Sequence, residues 1–222
     1  MKLFLMGKQS TDKENPLNKA LISEIKKGKG RIAYIPSSSE KSIEYYKEIS
    51  EFYKELGYGD ILYFDLAAQY NPSLITKLLN SDVIYLSGEN TYKFLLLLRK
   101  RKLTEALKEF AKRNGIIVGV GGGSILLTQD ISLSSLIYEN SYEALQARGF
   151  SLTKFEVLPH WQENKVLLPK LIDYTINTDK NIFAFNDGYG VSLLGDKVEF
   201  YGDIINIKNG SVSVYKGNYK VF

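Results

Sequence analysis

The chain has 222 residues, 44% of them hydrophobic, a formal net charge of +4 and no cysteine. That length and apolar content suit one substantial core and a single domain over 1–222, while the lack of cysteine excludes disulfides, thiolate metal sites and thiol redox chemistry. Lys and Arg interspersed with Glu describe a solvated surface and not a nucleic-acid footprint. No apolar run reaches the length of a membrane span, and Met1 to Gly7 is too short for a signal-peptide core, so a soluble cytoplasmic protein is expected.

Lys2 to Met6 reads as a strand, and Asn15 to Ile25 as a helix capped by Asn15 with Pro16 in its first turn. Arg31 to Pro36 is the next strand. From Glu40 to Leu56, Ile43, Tyr46, Ile49, Tyr53 and Leu56 recur at steps of three or four, which is one helical face ended by Gly57. Ile61 to Phe64 is a strand, Pro72 to Leu79 a short helix, and Asp82 to Gly88 a strand apolar enough to be buried on both faces. Asn90 to Lys112 is helical with an interruption near Lys102, and Gly115 to Val120 returns to strand. After residue 150 the texture changes: a strand over 154–159, a helix over 166–176, then short strands over 181–186, 190–194, 197–201, 204–207 and 211–215 separated by tight-turn signals. Strands alternating with helices predict an open α/β sandwich on a mostly parallel sheet, with the last quarter extending the sheet edge in antiparallel fashion.

Ligand crevices of such sheets lie beyond the carboxyl ends of the strands. The places to inspect are therefore Ser37 to Glu40, Ser87 to Thr91, Gly119 to Ser124, Pro159 to Glu163 and Asn186 to Gly188. The run Gly115-Ile-Ile-Val-Gly-Val-Gly-Gly-Gly-Ser-Ile-Leu-Leu127 carries the most information, because an apolar strand empties into a glycine turn that opens a helix, the layout of a nucleophile elbow. The elbow position is Gly121, which has no side chain to offer. His160 is the chain's one histidine, the usual general base near neutral pH, and it follows a strand and a proline. On residue type alone, His160 reads first as a structural histidine and Asn186-Asp-Gly188 first as a turn. Ser37 to Glu40 reads first as a helix cap and second as an anion site. The basic stretch from Arg99 to Lys102 reads as a helix C-terminus.

Four motifs in order resemble the peptidase E, or aspartyl dipeptidase, family of serine peptidases, to which cyanophycinases are related, and the resemblance spans essentially the whole chain. Ile84-Tyr-Leu-Ser-Gly-Glu-Asn-Thr-Tyr92 is similar to the family's Gly-Gly-Asn-Thr turn, and Gly119 to Thr128 to its Gly-x-Ser-Ala-Gly-Ser/Ala elbow. Val157-Leu-Pro-His160 and Phe185-Asn-Asp-Gly188 complete the set. The resemblance implies a three-layer sandwich of the class I glutamine amidotransferase-like or flavodoxin-like kind with an antiparallel C-terminal extension. It also implies that His160 is the base and Asp187 its orienting acid, with Asp130 the alternative acid. The backbone at Gly122 and in the Gly88-Glu89-Asn90 turn would form the oxyanion hole. The nucleophile position falls on Gly121, Gly122 replaces an alanine, and Glu89 replaces a glycine and would oppose a developing oxyanion.

Without an oxygen at residue 121 no acyl-enzyme can form there. The first reading is thus an inactive or impaired member of the family whose cleft still holds a small peptide or an acidic amino acid. The second is an active aspartyl dipeptidase captured as a nucleophile mutant or using Ser124, three residues along. The third takes 119–124 as a nucleotide cradle, although that turn follows the fifth strand and no acidic residue closes the next one. No cofactor or metal is implied, neither nucleic acid nor membrane is an expected partner, and the sixteen tyrosines offer contact area for a homodimer.

Overall fold

A computed structural model describes the chain except residues 38–39, 89, 138–146, 218 and 222, and gives the backbone alone for 40–43 and 219–221. In chain order the strands are β1 Lys2–Met6, β2 Ile32–Pro36, β3 Ile61–Tyr63, β4 Val83–Gly88, β5 Ile116–Gly121, β6 Glu156–Leu158, β7 Asn181–Phe185, β8 Gly190–Leu194, β9 Lys197–Tyr201, β10 Ile204–Lys208, β11 Ser211–Tyr215 and β12 Tyr219–Val221. The α-helices are α1 Pro16–Ile25, α2 Glu40–Glu55, α3 Ile75–Leu79, α4 Thr91–Lys100, α5 Thr104–Lys112, α6 Gly122–Leu126, α7 Trp161–Asn164 and α8 Leu168–Thr178.

The central sheet runs β12-β9-β8-β1-β5-β4-β2-β3, with β1, β5, β4, β2 and β3 parallel and β8, β9 and β12 antiparallel. Strands β1, β2, β4 and β5 at its centre are buried on both faces, as their unbroken apolar runs require. Alternate residues divide the core in two. Leu3, Leu5, Ile35, Ile84, Leu86 and Ile117 pack with Phe94, Leu98, Leu107 and Ile125 of α4, α5 and α6. Phe4, Met6, Tyr34, Tyr85, Val118 and Val120 pack with Leu17, Leu21, Ile49 and Tyr53 of α1 and α2 on the other side. The helix boundaries follow local chemistry: Asn15 Oδ1 accepts from the Leu17 and Asn18 amides at 2.9 and 3.2 Å, and α4 breaks from α5 where Lys102 turns left-handed at φ 56°.

The antiparallel edge extension is realised by β8, β9 and β12, while the other C-terminal strands do something else. β6, β7, β10 and β11 make a separate four-stranded sheet in the order β11-β10-β7-β6, within which β6 and β7 are parallel. The reason is that β7 has two apolar faces to cover: Phe183 and Phe185 enter the core beneath α4 and α6, and Ile182 and Ala184 pack with Leu158, Trp161, Leu171 and Ile207 against α8. Strand β6 therefore ends, at Leu158, in a position to carry His160 toward the elbow. Among the described residues no helix is long and apolar enough to cross a membrane.

Candidate functional site

Strand β5 ends at Gly121, whose backbone adopts φ 57° and ψ −123° and caps the short helix α6. An L side chain rarely takes that conformation, which belongs to sharp elbows that lift one residue above a sheet. The turn is held by neighbours on both sides: the Gly121 amide donates to Gly7 O at 2.9 Å, and Gly121 pairs in register with Gly88 at the end of β4. Helix α6 then lies close against the sheet. A β-carbon on Gly123 would come within 2.1 Å of Leu86 O, and one on Gly119 within 2.7 Å of Gly123 O, so both glycines serve backbone approach.

His160 arrives from the other sheet, one residue past Pro159, at φ 57° and ψ 44°. This left-handed turn re-aims its ring, and it is fixed because the Glu163 and Asn164 amides and the Asn164 side chain all donate to His160 O at 3.1, 3.2 and 3.0 Å. His160 Nδ1 stands 2.7 Å from Asp187 Oδ1, and the same carboxylate oxygen accepts from the Lys8 amide at 2.8 Å. Burial alone would push the Asp187 carboxyl up. The hydrogen bond and charge of His160, together with Lys8, outweigh burial and hold it below its ordinary value. An ionised Asp187 accepts from Nδ1–H, so in the neutral ring the lone pair lies on Nε2. A β-carbon built on Gly121 would point toward that nitrogen, at 3.3 Å from His160 Nε2.

Gly121, His160 and Asp187, drawn from three separate stretches of sequence, thus meet in one cleft of about 740 Å³ that also includes Gly7, Lys8, Tyr45, Ser87 and Gly88. The remaining candidate residues are placed differently. Ser124 is fully buried. Its Oγ accepts from the Met6 amide at 2.9 Å and faces Met6 O and Gly119 O at 2.8 and 2.6 Å, so the hydroxyl ties α6 to β1 and β5 and does not reach the cleft. Asp130 caps the turn at Ser132, whose amide it accepts at 2.7 Å, and the carboxylate paired with His160 is Asp187. Asn90 Oδ1 accepts from the Lys93 amide at 3.0 Å, which starts α4. Gly122 opens α6 directly after the elbow. Glu89 lies outside the described residues, as do Ser38 and Ser39 of the segment considered as an anion site.

Sequence patterns did not mark Lys8, Glu44, Tyr45 or Glu48. The strand-end rule applied to β1 would have found Lys8, but nothing local shows which turns of α2 overlook the cleft. Tyr45 hydroxyl accepts from the Gln9 amide at 2.9 Å and hydrogen-bonds Tyr85 at 3.1 Å, and burial pushes both phenols well above their ordinary value.

The model of Peptidase family S51 matches residues 3–201. The chain belongs to peptidase family S51. It is 25% identical over 187 residues to Uncharacterized peptidase YgaJ of Bacillus subtilis (strain 168), covering 82% of this chain and 77% of the relative. Its fold is shared with two solved structures. A peptidase from an acI-B1 Actinobacterium superposes with a TM-score of 0.70 at 18% identity, covering 99% of this chain and 96% of that one. A putative peptidase E protein from Listeria monocytogenes EGD-e superposes with a TM-score of 0.61 at 16% identity, covering 97% and 98%. The S51 assignment agrees with the four motifs, two at the ends of β4 and β5 in the central sheet and two at the ends of β6 and β7 in the second.

Proposed function

We propose that this member of family S51 is a catalytically inactive or strongly impaired peptidase homologue that keeps a peptide-binding cleft. One observation carries the reading: the base and its acid are assembled, and the elbow backbone is formed, around a residue with no side chain. His160 Nε2 lies 3.3 Å from where a β-carbon of residue 121 would stand, while Asp187 supports Nδ1 at 2.7 Å. A hydroxyl on that carbon would fall within reach of the base, and glycine supplies none. Loss of a triad nucleophile leaves at most roughly a thousand- to ten-thousandfold over the uncatalysed rate, from binding and backbone donors alone. Ser124 is no substitute, because its hydroxyl is committed to three backbone groups beneath the elbow.

The test compares the natural chain with G121S. The natural protein should release no amino acid above background from a dipeptide panel that includes Asp-Xaa, and should resist a fluorophosphonate. G121S should be labelled by that reagent at residue 121, with labelling abolished by adding H160A. Robust turnover by the natural chain that H160A removes would overturn the proposal.

A further inference from the structure

Among the described residues, the charge lining this cleft is opposite to that of the chain. The whole sequence carries 29 Lys and Arg against 25 Asp and Glu, yet among the described residues lining the cleft the carboxylates are Glu44, Glu48, Glu163 and Asp187, and the basic groups are Lys8 and His160. Lys8 is already neutralised locally, since its Nζ meets Glu48 Oε2 at 2.9 Å. His160 is matched by Asp187 at 2.7 Å. Glu44 on α2 and Glu163 on α7 are left facing the cleft from its two walls, with no compensating cation among the described lining residues.

A second observation concerns the wall itself. The Lys8 ammonium is seated between the Glu48 carboxylate and the face of Tyr45, 5.4 Å from the ring centroid. A carboxylate beside an aromatic face is an ammonium seat, and the chain's own lysine demonstrates that this wall makes one. An acidic ligand, in contrast, would meet Glu44 and Glu163, and among the described lining residues Lys8 is already paired with Glu48.

We infer that the cleft selects a cationic peptide, one presenting a lysine or arginine side chain or a free amino terminus between Glu44 and Glu163, and rejects an acidic one. This rests on the reading of the cleft as a retained peptide site. Exposed charge pairs each contribute modestly, so two of them amount to a preference of about tenfold, weakened by salt.

The experiment titrates the unmodified protein with three N-acetylated tripeptides that differ only in a central Lys, Gln or Asp, following Trp161 fluorescence and calorimetry at low and high salt. Trp161 follows His160 in the chain but is itself buried among Leu158, Leu171 and Ile207, so calorimetry is the deciding readout. The Lys peptide should bind about tenfold tighter than the Asp peptide, and the double variant E44Q/E163Q should erase that preference. Equal or tighter binding of the Asp peptide, or a Lys preference that survives the double variant, would overturn the charge assignment and leave the peptide cleft standing. If none of the three binds at millimolar concentration, the cleft reading falls and the charge assignment with it.

Discussion

Asp187 Oδ1 lies 2.6 Å from where a β-carbon on Gly7 would stand, so it is the glycine at the end of β1 that allows the carboxylate to settle between the Lys8 amide and the His160 ring. Backbone crowds the same point, with Asn186 O at 3.0 Å. G7A should therefore displace Asp187, and overpacking of this kind costs about 1–3 kcal/mol. In a G121S background, fluorophosphonate labelling should fall at least tenfold, and the downfield Nδ1 proton resonance of His160 should move upfield. An unchanged resonance would mean that Asp187 does not depend on Gly7.

The elbow at φ 57° and ψ −123° is comfortable for glycine alone. Installing a side chain by G121S or G121A restores the strain that such turns carry, about 1–3 kcal/mol. For a chain of this size that corresponds to roughly 2–4 °C in Tm per kcal/mol, and calorimetry of the two variants should show similar losses. A gain of stability on G121A would contradict the strained geometry.

Ser124 should matter to folding and not to chemistry. S124A leaves the buried Met6 amide without its acceptor, a loss of about 1–3 kcal/mol measured by urea unfolding. The labelling rate of G121S should be the same with or without S124A, and a rate that collapses would reassign the hydroxyl.

The Glu156 carboxyl, almost wholly buried on β6, is pushed by burial up to about 7, with Tyr174 donating to it at 2.9 Å and nearby Asp130 adding to the upward shift. In the unfolded chain the same group titrates at its ordinary value near 4.5. Between those values the folded state holds more protons, so stability falls as pH rises from about 4.5 to about 7 and is level above. The span corresponds to about 3 kcal/mol at most. Asp187 acts in the opposite sense: its depressed carboxyl contributes stability above its unfolded value, lost as pH falls through the folded one. E156Q should flatten the upper slope and leave the acid limb in place, read from urea midpoints between pH 4 and pH 8.

Much of the central sheet was legible because hydrophobic period and turn chemistry are local. Asn15 with Pro16, the apolar runs of β1, β4 and β5, and the glycine run at 119–123 each announce their element within a few residues. The division of the C-terminal strands was not legible. Ile182 to Phe185 is a continuous apolar run like that of any fully buried strand, and only the surfaces available to cover its two faces determine that β7 joins β6 and β10 instead of the edge beside β8.

Residue types and their order set the chemistry available to the site: one histidine, no thiol, and glycine where an elbow needs a hydroxyl. Packing chose which acid serves that histidine, because Asp130 and Asp187 are both plausible along the chain and only the parallel pairing of β6 with β7 sets the segments after the two strands side by side and brings Asp187 within 2.7 Å of His160. Packing also set the sign of the cleft, since Glu44 and Glu48 on α2 and Glu163 on α7 lie far apart in the chain, and their charges sum only after folding has turned them toward one space.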